Sequence, residues 1–278
     1  MLGSQKQFQT LLRRLGVYER ARALWVYEWY LKLAKKHIAE ERRKETEFYA
    51  KLLQGFRRGD LIFDIGANHG DKSRIFLLLG ARVIAVEPDE KSLNILKERF
   101  VKYRLTKLPF IVVPKAASDK SSVRTLFVNA PGSALNTLNE KWAETLRKDK
   151  ARFKEDLNFG QSKQVETVSI VELTAVHGSP FFIKIDVEGH ELNVLRGMQQ
   201  AVPYVSFEVN LPEFRTEGLE CINVLQCLSA DGRFNYATDC QRGLILKNWV
   251  RAEQFLEILK GCGESAVEVF WKTSGSRG

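Results

Sequence analysis

An α/β fold, with a mostly parallel sheet and a helical extension at the amino-terminal end, is what the sequence predicts. Three observations lead there. From residue 59 onward, short apolar runs alternate with amphipathic helical patterns, the order that yields βαβ units with right-handed crossovers. The first apolar run ends in the glycine-bearing turn FDIGANHGD at 63–71. Before residue 59 the pattern is helical, free of proline and strongly basic. Such a sheet is Rossmann-like, and its ligands belong off the carboxyl ends of its strands.

The elements follow in order. Residues 7–56 read as helix, with Leu24, Trp25, Leu31, Leu33, Ile38, Phe48 and Leu52 at three-to-four spacing. A break is expected near His37–Lys44, where IAEERRKETE is charged throughout. The stretch LWVYEWYLKLAKK is aromatic and basic, as helices at membrane surfaces are. Its plainer reading packs a Trp25/Trp29 stripe on the main domain; membrane or polyanion contact and dimerisation are the alternatives. A boundary between an extension (1–58) and a main domain (59–278) follows.

LIFDIG is then a strand and GDKSRIFLLLG a helix closed by glycine. ARVIAVEP is a strand, DEKSLNILKERFVKY a helix and PFIVVPKAAS a third strand. SSVRTLFVN reads as an extra strand, and 138–157 as a charged, exposed helix or lid. PFFIKID and YVSFEV are core strands around the helix HELNVLRGMQQ. RFNYATD and AVEVFWKT, separated by the helix QFLEILKG, complete the sheet.

The 278 residues are 44% hydrophobic, enough for one large or two small cores. No apolar run approaches the ~18 uncharged residues of a membrane span. The first residues lack the apolar region and small-residue site of a secretory signal. Cys221, Cys227, Cys240 and Cys262 lack C-x-x-C spacing and read as reduced thiols. These features suit a cytoplasmic protein, with peripheral attachment at the inner membrane face as the alternative. Residues 1–60 hold 14 Lys/Arg and 7 Asp/Glu, so +7 of the net +9 lies there. A basic partner surface therefore belongs to the extension.

The first strand ends at Asp64-Ile65-Gly66 and the second at Glu87, 23 residues after Asp64. That distance is one turn–helix–strand unit. An acid ending the second strand can accept hydrogen bonds from both ribose hydroxyls of a nucleoside. Gly66, Asn68 and Gly70 supply a turn where backbone approaches the ligand. The turn lacks the G-x-G-x-x-G arrangement that seats a pyrophosphate, which argues against a nicotinamide cofactor. Asp64 would repel pyrophosphate but suits the cationic amino-acid end of S-adenosylmethionine, directly or through water. Ser118 and Asp119 fall where the adenine edge is expected.

A second constellation is FFIKIDVEGHELNVLRG at 181–197. Strand alternation puts Lys184 and Asp186 on one face, and Glu188 continues beside them. Crowded acids raise each other's pKa while Lys184 opposes that, a setting for acid–base chemistry. His190 is a further candidate base. Glu191 reads as a helix-start acid favoured by the helix dipole. Glu208 closes the next strand on the same edge.

These two stretches resemble the FkbM family of S-adenosylmethionine-dependent methyltransferases. The resemblance lies in FDIGANHG, Glu87 of AVEPD and KIDVEGHELNVLRG, and covers about residues 59–210. PGSALNTL at 131–138 is similar to that family's small serine-containing loop. Two departures stand out: Val171 occupies the place of a strand-end acid, and Asn210 stands where a histidine is frequent. The resemblance implies a class I methyltransferase sheet whose last strand is antiparallel, and O-methylation of a sugar or natural-product hydroxyl.

A hydroxyl acceptor must lose its proton as the new bond forms. Asp186 and Glu188 are the leading bases, His190 the third, with Lys184 tuning the acid or orienting the acceptor. No unambiguous metal-ligand set stands out; Asp186 and Glu208 would be the pair if a divalent ion took part. The acceptor is expected to be a small molecule or glycan, with segments 129–163 and 211–220 lining its pocket. Nucleic acid is not expected, because no basic, aromatic patch flanks the site. The rival from another class is a catalytically silent module that docks to a membrane or polyanion through residues 7–56.

Overall fold

The computed structural model describes residues 36–104, 110–148 and 157–273. Trp25, Trp29 and the rest of the extension up to residue 35 lie outside the described residues, as does 149–156 of the expected lid. The first described element is helix α1 (Lys36–Leu52). It runs through His37–Lys44 without the expected break. The charged run is a solvated face whose i,i+4 pairs, Arg43–Glu47 and Lys44–Glu40, support the helix. Its other face buries Tyr49 and Leu52 against Phe76 and Phe182.

Strands and helices then alternate: β1 (Leu61–Ile65), α2 (Asp71–Leu78), β2 (Arg82–Val86), α3 (Glu90–Arg99), α4 (Val101–Arg104), β3 (Phe110–Val113) and β4 (Ala116–Ala117). After β5 (Val123–Val128) come α5 (Glu140–Lys148), β6 (Gln161–Val168), α6 (Ile170–His177), β7 (Phe182–Ile185) and α7 (Glu191–Arg196). The chain finishes with β8 (Tyr204–Asn210), α8 (Arg215–Leu228), β9 (Arg233–Ala237), α9 (Ala252–Lys260) and β10 (Ala266–Lys272).

Seven strands form the main sheet in the order β3-β2-β1-β7-β8-β10-β9. The pairs from β3 to β8 are parallel, and β10 is antiparallel to both neighbours. The expected mostly parallel sheet with an antiparallel last strand is what forms. Two cores sit on its faces. Phe63, Ile65, Ile183, Ile185, Phe207 and Val209 point to one; Ile62, Phe182, Tyr204 and Phe270 point to the other, under α1 and α2.

Two elements differ from the sequence reading. PFIVVPKAAS is two strands, because Pro114 has no N–H to continue the ladder. The chain turns there, with Lys115 N–H donating to Val113 O, and β4 leaves the main sheet. It joins a separate three-stranded sheet, β4-β6-β5, in which β4–β6 is parallel and β5–β6 antiparallel. Helix α5 is not an exposed lid either. Trp142, Ala143 and Leu146 recur at three-to-four spacing and are buried in the core, while its charges face water.

Candidate active site

The chain leaves β1 for β2 and β3 on one side and returns for β7 and β8 on the other. The ends of β1 and β7 are thus the topological switch point, where open α/β sheets bind ligands. The turn after β1 fits that place closely. Gly66 has φ 78°, and a Cβ there would lie 1.7 Å from the Asp186 carbonyl oxygen. Only glycine permits this approach. Asn68 also takes a left-handed conformation, at φ 46°. Its backbone N–H donates to Glu87 Oε2 at 2.8 Å, and Asp89 N–H donates to Oε1 at 2.8 Å.

Glu87 is buried, and burial pushes its pKa up to about 7 against these two N–H donors and despite them. Each carboxylate oxygen accepts one backbone bond, so lone pairs remain for further donors. Glu87 lines a cleft together with Gly66, Asn68, Pro88, Ala117, Leu126 and the loop residues Ser133, Ala134, Asn136 and Leu138. Asp186 and Glu188 close the lining. Among the described residues no Lys or Arg lines it, so a cationic nucleoside fits better than a pyrophosphate. The apolar Pro88, Ala117 and Leu126 suit a purine, and Glu87 a ribose.

Three residues expected at the cofactor do other work. Asp64 is fully buried and does not line the cleft; it accepts from Ser73 Oγ at 2.5 Å, and burial raises its pKa while Lys184 opposes the rise. The direct grip on an amino-acid end is therefore not its geometry, because its side chain points from β1 into the α2 face. Gly70 likewise serves packing: a Cβ there would meet Phe100 Cε2 at 2.5 Å. Ser118 is buried, with its Oγ 2.9 Å from Asp119 Oδ1 and 3.0 Å from His190 Nε2.

His190 lies in that same tie and does not line the cleft. Burial lowers its pKa to about 4, and the Arg124 guanidinium adds to this. A neutral imidazole locked onto Ser118 joins β4 to the start of α7; it is not placed with the acids.

The acids of the second constellation do come together. Carboxylate oxygens of Asp186, Glu188 and Glu208 all lie within 4.8 Å of one another. Lys184 Nζ, almost fully buried, donates to Asp186 Oδ2 at 2.6 Å. Burial alone would lower the Lys184 pKa, but Asp186, Asp64 and Glu268 raise it. Burial, then the charge of Asp186, pushes Glu188 well up and takes Glu208 to about 8. Such a trio can share a proton or offer oxygens to a divalent cation. Glu191 takes the structural role expected of it, accepting from Val187 N–H and Gly189 N–H at 3.0 and 3.2 Å.

The loop between β5 and α5 holds both halves of the site. Asp89, at the N-cap of α3, accepts from Ser92 N–H and from Gly132 N–H. Thr137 Oγ1 donates to the Glu188 carbonyl at 2.6 Å, and Asn139 Nδ2 to the Gly189 carbonyl at 2.6 Å. Trp142 Nε1 donates to Glu188 Oε2 at 3.1 Å. These bonds hold Glu188 at φ 53°, an uncommon backbone state for a non-glycine residue. Asp89, Thr137, Asn139 and Trp142 were not singled out from sequence. Only Asp89 carried a signal, as an N-cap residue beside Glu87.

Comparison with known proteins adds three findings. The sequence profile of the family described as Methyltransferase FkbM domain matches residues 64–239. A hexuronic acid methyltransferase, AglP of Haloferax volcanii, is 27% identical over 169 residues, 60% of this chain and 62% of that protein. The chain thus matches under two thirds of that relative's length. Among solved structures, the SAM-dependent methyltransferase of Agrobacterium tumefaciens aligns at TM-score 0.40 and 10% identity, covering 84% of this chain and 62% of that one. The O-methyltransferase TomG of Streptomyces achromogenes, in complex with SAM, aligns at TM-score 0.37 and 12% identity, covering 84% and 80%.

Proposed function

The chain belongs to the FkbM family of S-adenosylmethionine-dependent methyltransferases, and from that premise we propose that it methylates a hydroxyl of a sugar or natural-product acceptor. One observation carries the choice of hydroxyl: the trio Asp186, Glu188 and Glu208 beside the cofactor cleft. A hydroxyl gives up its proton during transfer and needs a base within reach. The methyl transferase relative from Haloferax volcanii, described as acting on a hexuronic acid, supports a sugar acceptor.

S-adenosylmethionine supplies an electrophilic methyl group, whose S–C bond breaks as the acceptor O–C bond forms. Glu87 would hold the ribose, and Gly66 and Asn68 the turn against which the nucleoside lies. At the other end of the cleft the trio receives the acceptor's proton. With Glu208 pushed up to about 8 and Glu188 raised as well, the group exchanges protons near neutrality, as a base for a hydroxyl must. Lys184 fixes Asp186, and Trp142 with Thr137 fixes Glu188, so the base is oriented before the acceptor arrives.

Incubation with labelled S-adenosylmethionine and hydroxylated glycosides tests this, followed by location of the label. An O-methyl product is expected, with Glu188→Gln lowering kcat by roughly 10²–10⁴-fold while S-adenosylhomocysteine still binds. Label on nitrogen or carbon would overturn the hydroxyl assignment. So would full turnover in both Glu188→Gln and Asp186→Asn.

A further inference from the structure

Beyond the acid trio lies a second, open pocket, lined by residues of α1, α2, β8, β10 and the segment after β9. Glu208 belongs to its wall, whereas Asp186 and Glu188 belong to the cofactor cleft. With their oxygens within 4.8 Å of one another, the three acids stand at the junction of the two spaces. None of the described residues of 129–163 or of 211–220 lines this second space. Glu45 of α1 does, and so do Lys72 of α2 and Asp239 and Gln241 after β9.

The charge of that wall is one-sided. Among the described residues, Glu45, Glu208, Asp239 and Glu268 supply four carboxylates to the lining, and Lys72 is its one ammonium. Lys72 is already paired with Glu45. Two cations that touch the surrounding acids are paired as well: Arg242 Nε lies 3.6 Å from Asp239 Oδ2, and Lys184 Nζ lies 2.6 Å from Asp186. Glu268 accepts from Ser206 Oγ at 2.9 Å and Cys240 Sγ at 3.1 Å, which hold its head group in place. Even with Glu208 protonated, three carboxylates face one ammonium. Carboxylates accept hydrogen bonds and cannot donate them. They suit hydroxyl and ammonium groups, and a carboxylate on the ligand would meet like charge in a partly desolvated space.

We propose that this pocket binds the methyl acceptor, and that it selects polyhydroxylated acceptors carrying no negative charge, with a protonated amine as an added advantage. The inference rests on the methyltransferase reading above and narrows it. It also separates this chain from a uronate-modifying relative, because among the described residues the wall has no cation free to pair with a carboxylate.

The test compares methyl glycosides of glucose, glucosamine and glucuronic acid as ligands of the full chain, by saturation-transfer NMR with S-adenosylhomocysteine bound. The glucoside and glucosaminide are expected to bind at least about tenfold more tightly than the glucuronide, a difference of about 1.4 kcal/mol. Glu45→Gln, which frees Lys72, should narrow that ratio. Asp239→Asn, at a partly exposed position tolerant of change, should narrow it independently, and its thermal melt checks folding. Preference for the glucuronide, or an unchanged ratio in Asp239→Asn, would overturn the inference. So would failure of all three glycosides to bind a protein that takes S-adenosylhomocysteine. Failure of folded protein to bind S-adenosylhomocysteine at all would strike the methyltransferase reading instead.

Discussion

Cofactor affinity should depend on pH through Glu87. Its pKa is pushed up to about 7 because the carboxylate is buried at the end of β2, in spite of N–H bonds from Asp89 and Asn68. Ribose hydroxyls donate, so the ionised carboxylate is the form that binds them. With that pKa, about one molecule in eleven is ionised at pH 6 and about ten in eleven at pH 8. Apparent Kd scales inversely with the competent fraction. Binding should therefore tighten roughly tenfold from pH 6 to pH 8. Titration calorimetry with S-adenosylhomocysteine, which cannot react, measures it directly. Glu87→Gln is the control, since it keeps the shape and removes the titration. It should bind more weakly at pH 8 and lose most of the pH slope. A wild-type Kd that stays flat across this range would refute the reasoning, as would an equal slope in Glu87→Gln.

Stability should fall as pH rises. Glu191 and Glu208 reach about 7 and about 8, and Glu188 is raised too, all above the unfolded value. The folded chain then binds more protons than the unfolded one between roughly pH 4 and 8, so the stabilisation is complete at the acid end and is lost on going up. Thermal melts should decline toward pH 8.5, and Glu208→Gln should flatten that decline. Gly66→Ala should abolish cofactor binding or folding, because its Cβ would meet backbone at 1.7 Å. Gly178→Ala, also at positive φ but with nothing within 4 Å, should cost only about 1–3 kcal/mol in chemical denaturation. Trp142→Phe removes a donor that lowers the Glu188 pKa. The acid limb of its activity–pH profile should move up, a change that packing loss alone would not produce.

Much of this molecule was readable before any coordinates. Hydrophobic patterning and turn residues place the main strands, and the acid positions mark where the two halves of the site meet. What stayed hidden has physical causes. The second sheet escaped notice because β4 is two residues long and follows β3 directly, with only Pro114 hinting at the change. The direction of a side chain is also not encoded locally. Asp64 alternates away from the cleft, and His190 turns to Ser118, through contacts 72 residues apart in sequence. The bonds from Thr137, Asn139 and Trp142 to the Glu188 turn span about fifty residues, and no spacing rule anticipates them. Helix α8 was not assigned from the sequence; only its first residues, 215–220, lay in the stretch 211–220 read as pocket lining.

Lys184 has one more consequence. It stands in register with Asp64 on the neighbouring strand and is bonded to Asp186 on its own. One ammonium thus answers to two acids on neighbouring strands, one buried against α2 and one lining the cofactor cleft. Replacing it by a neutral residue would strand both partners at once, and restoring balance would require changes on two strands. Variation at these three positions should therefore be concerted: a descendant sequence that loses the lysine would have to shed or re-pair both acids along with it.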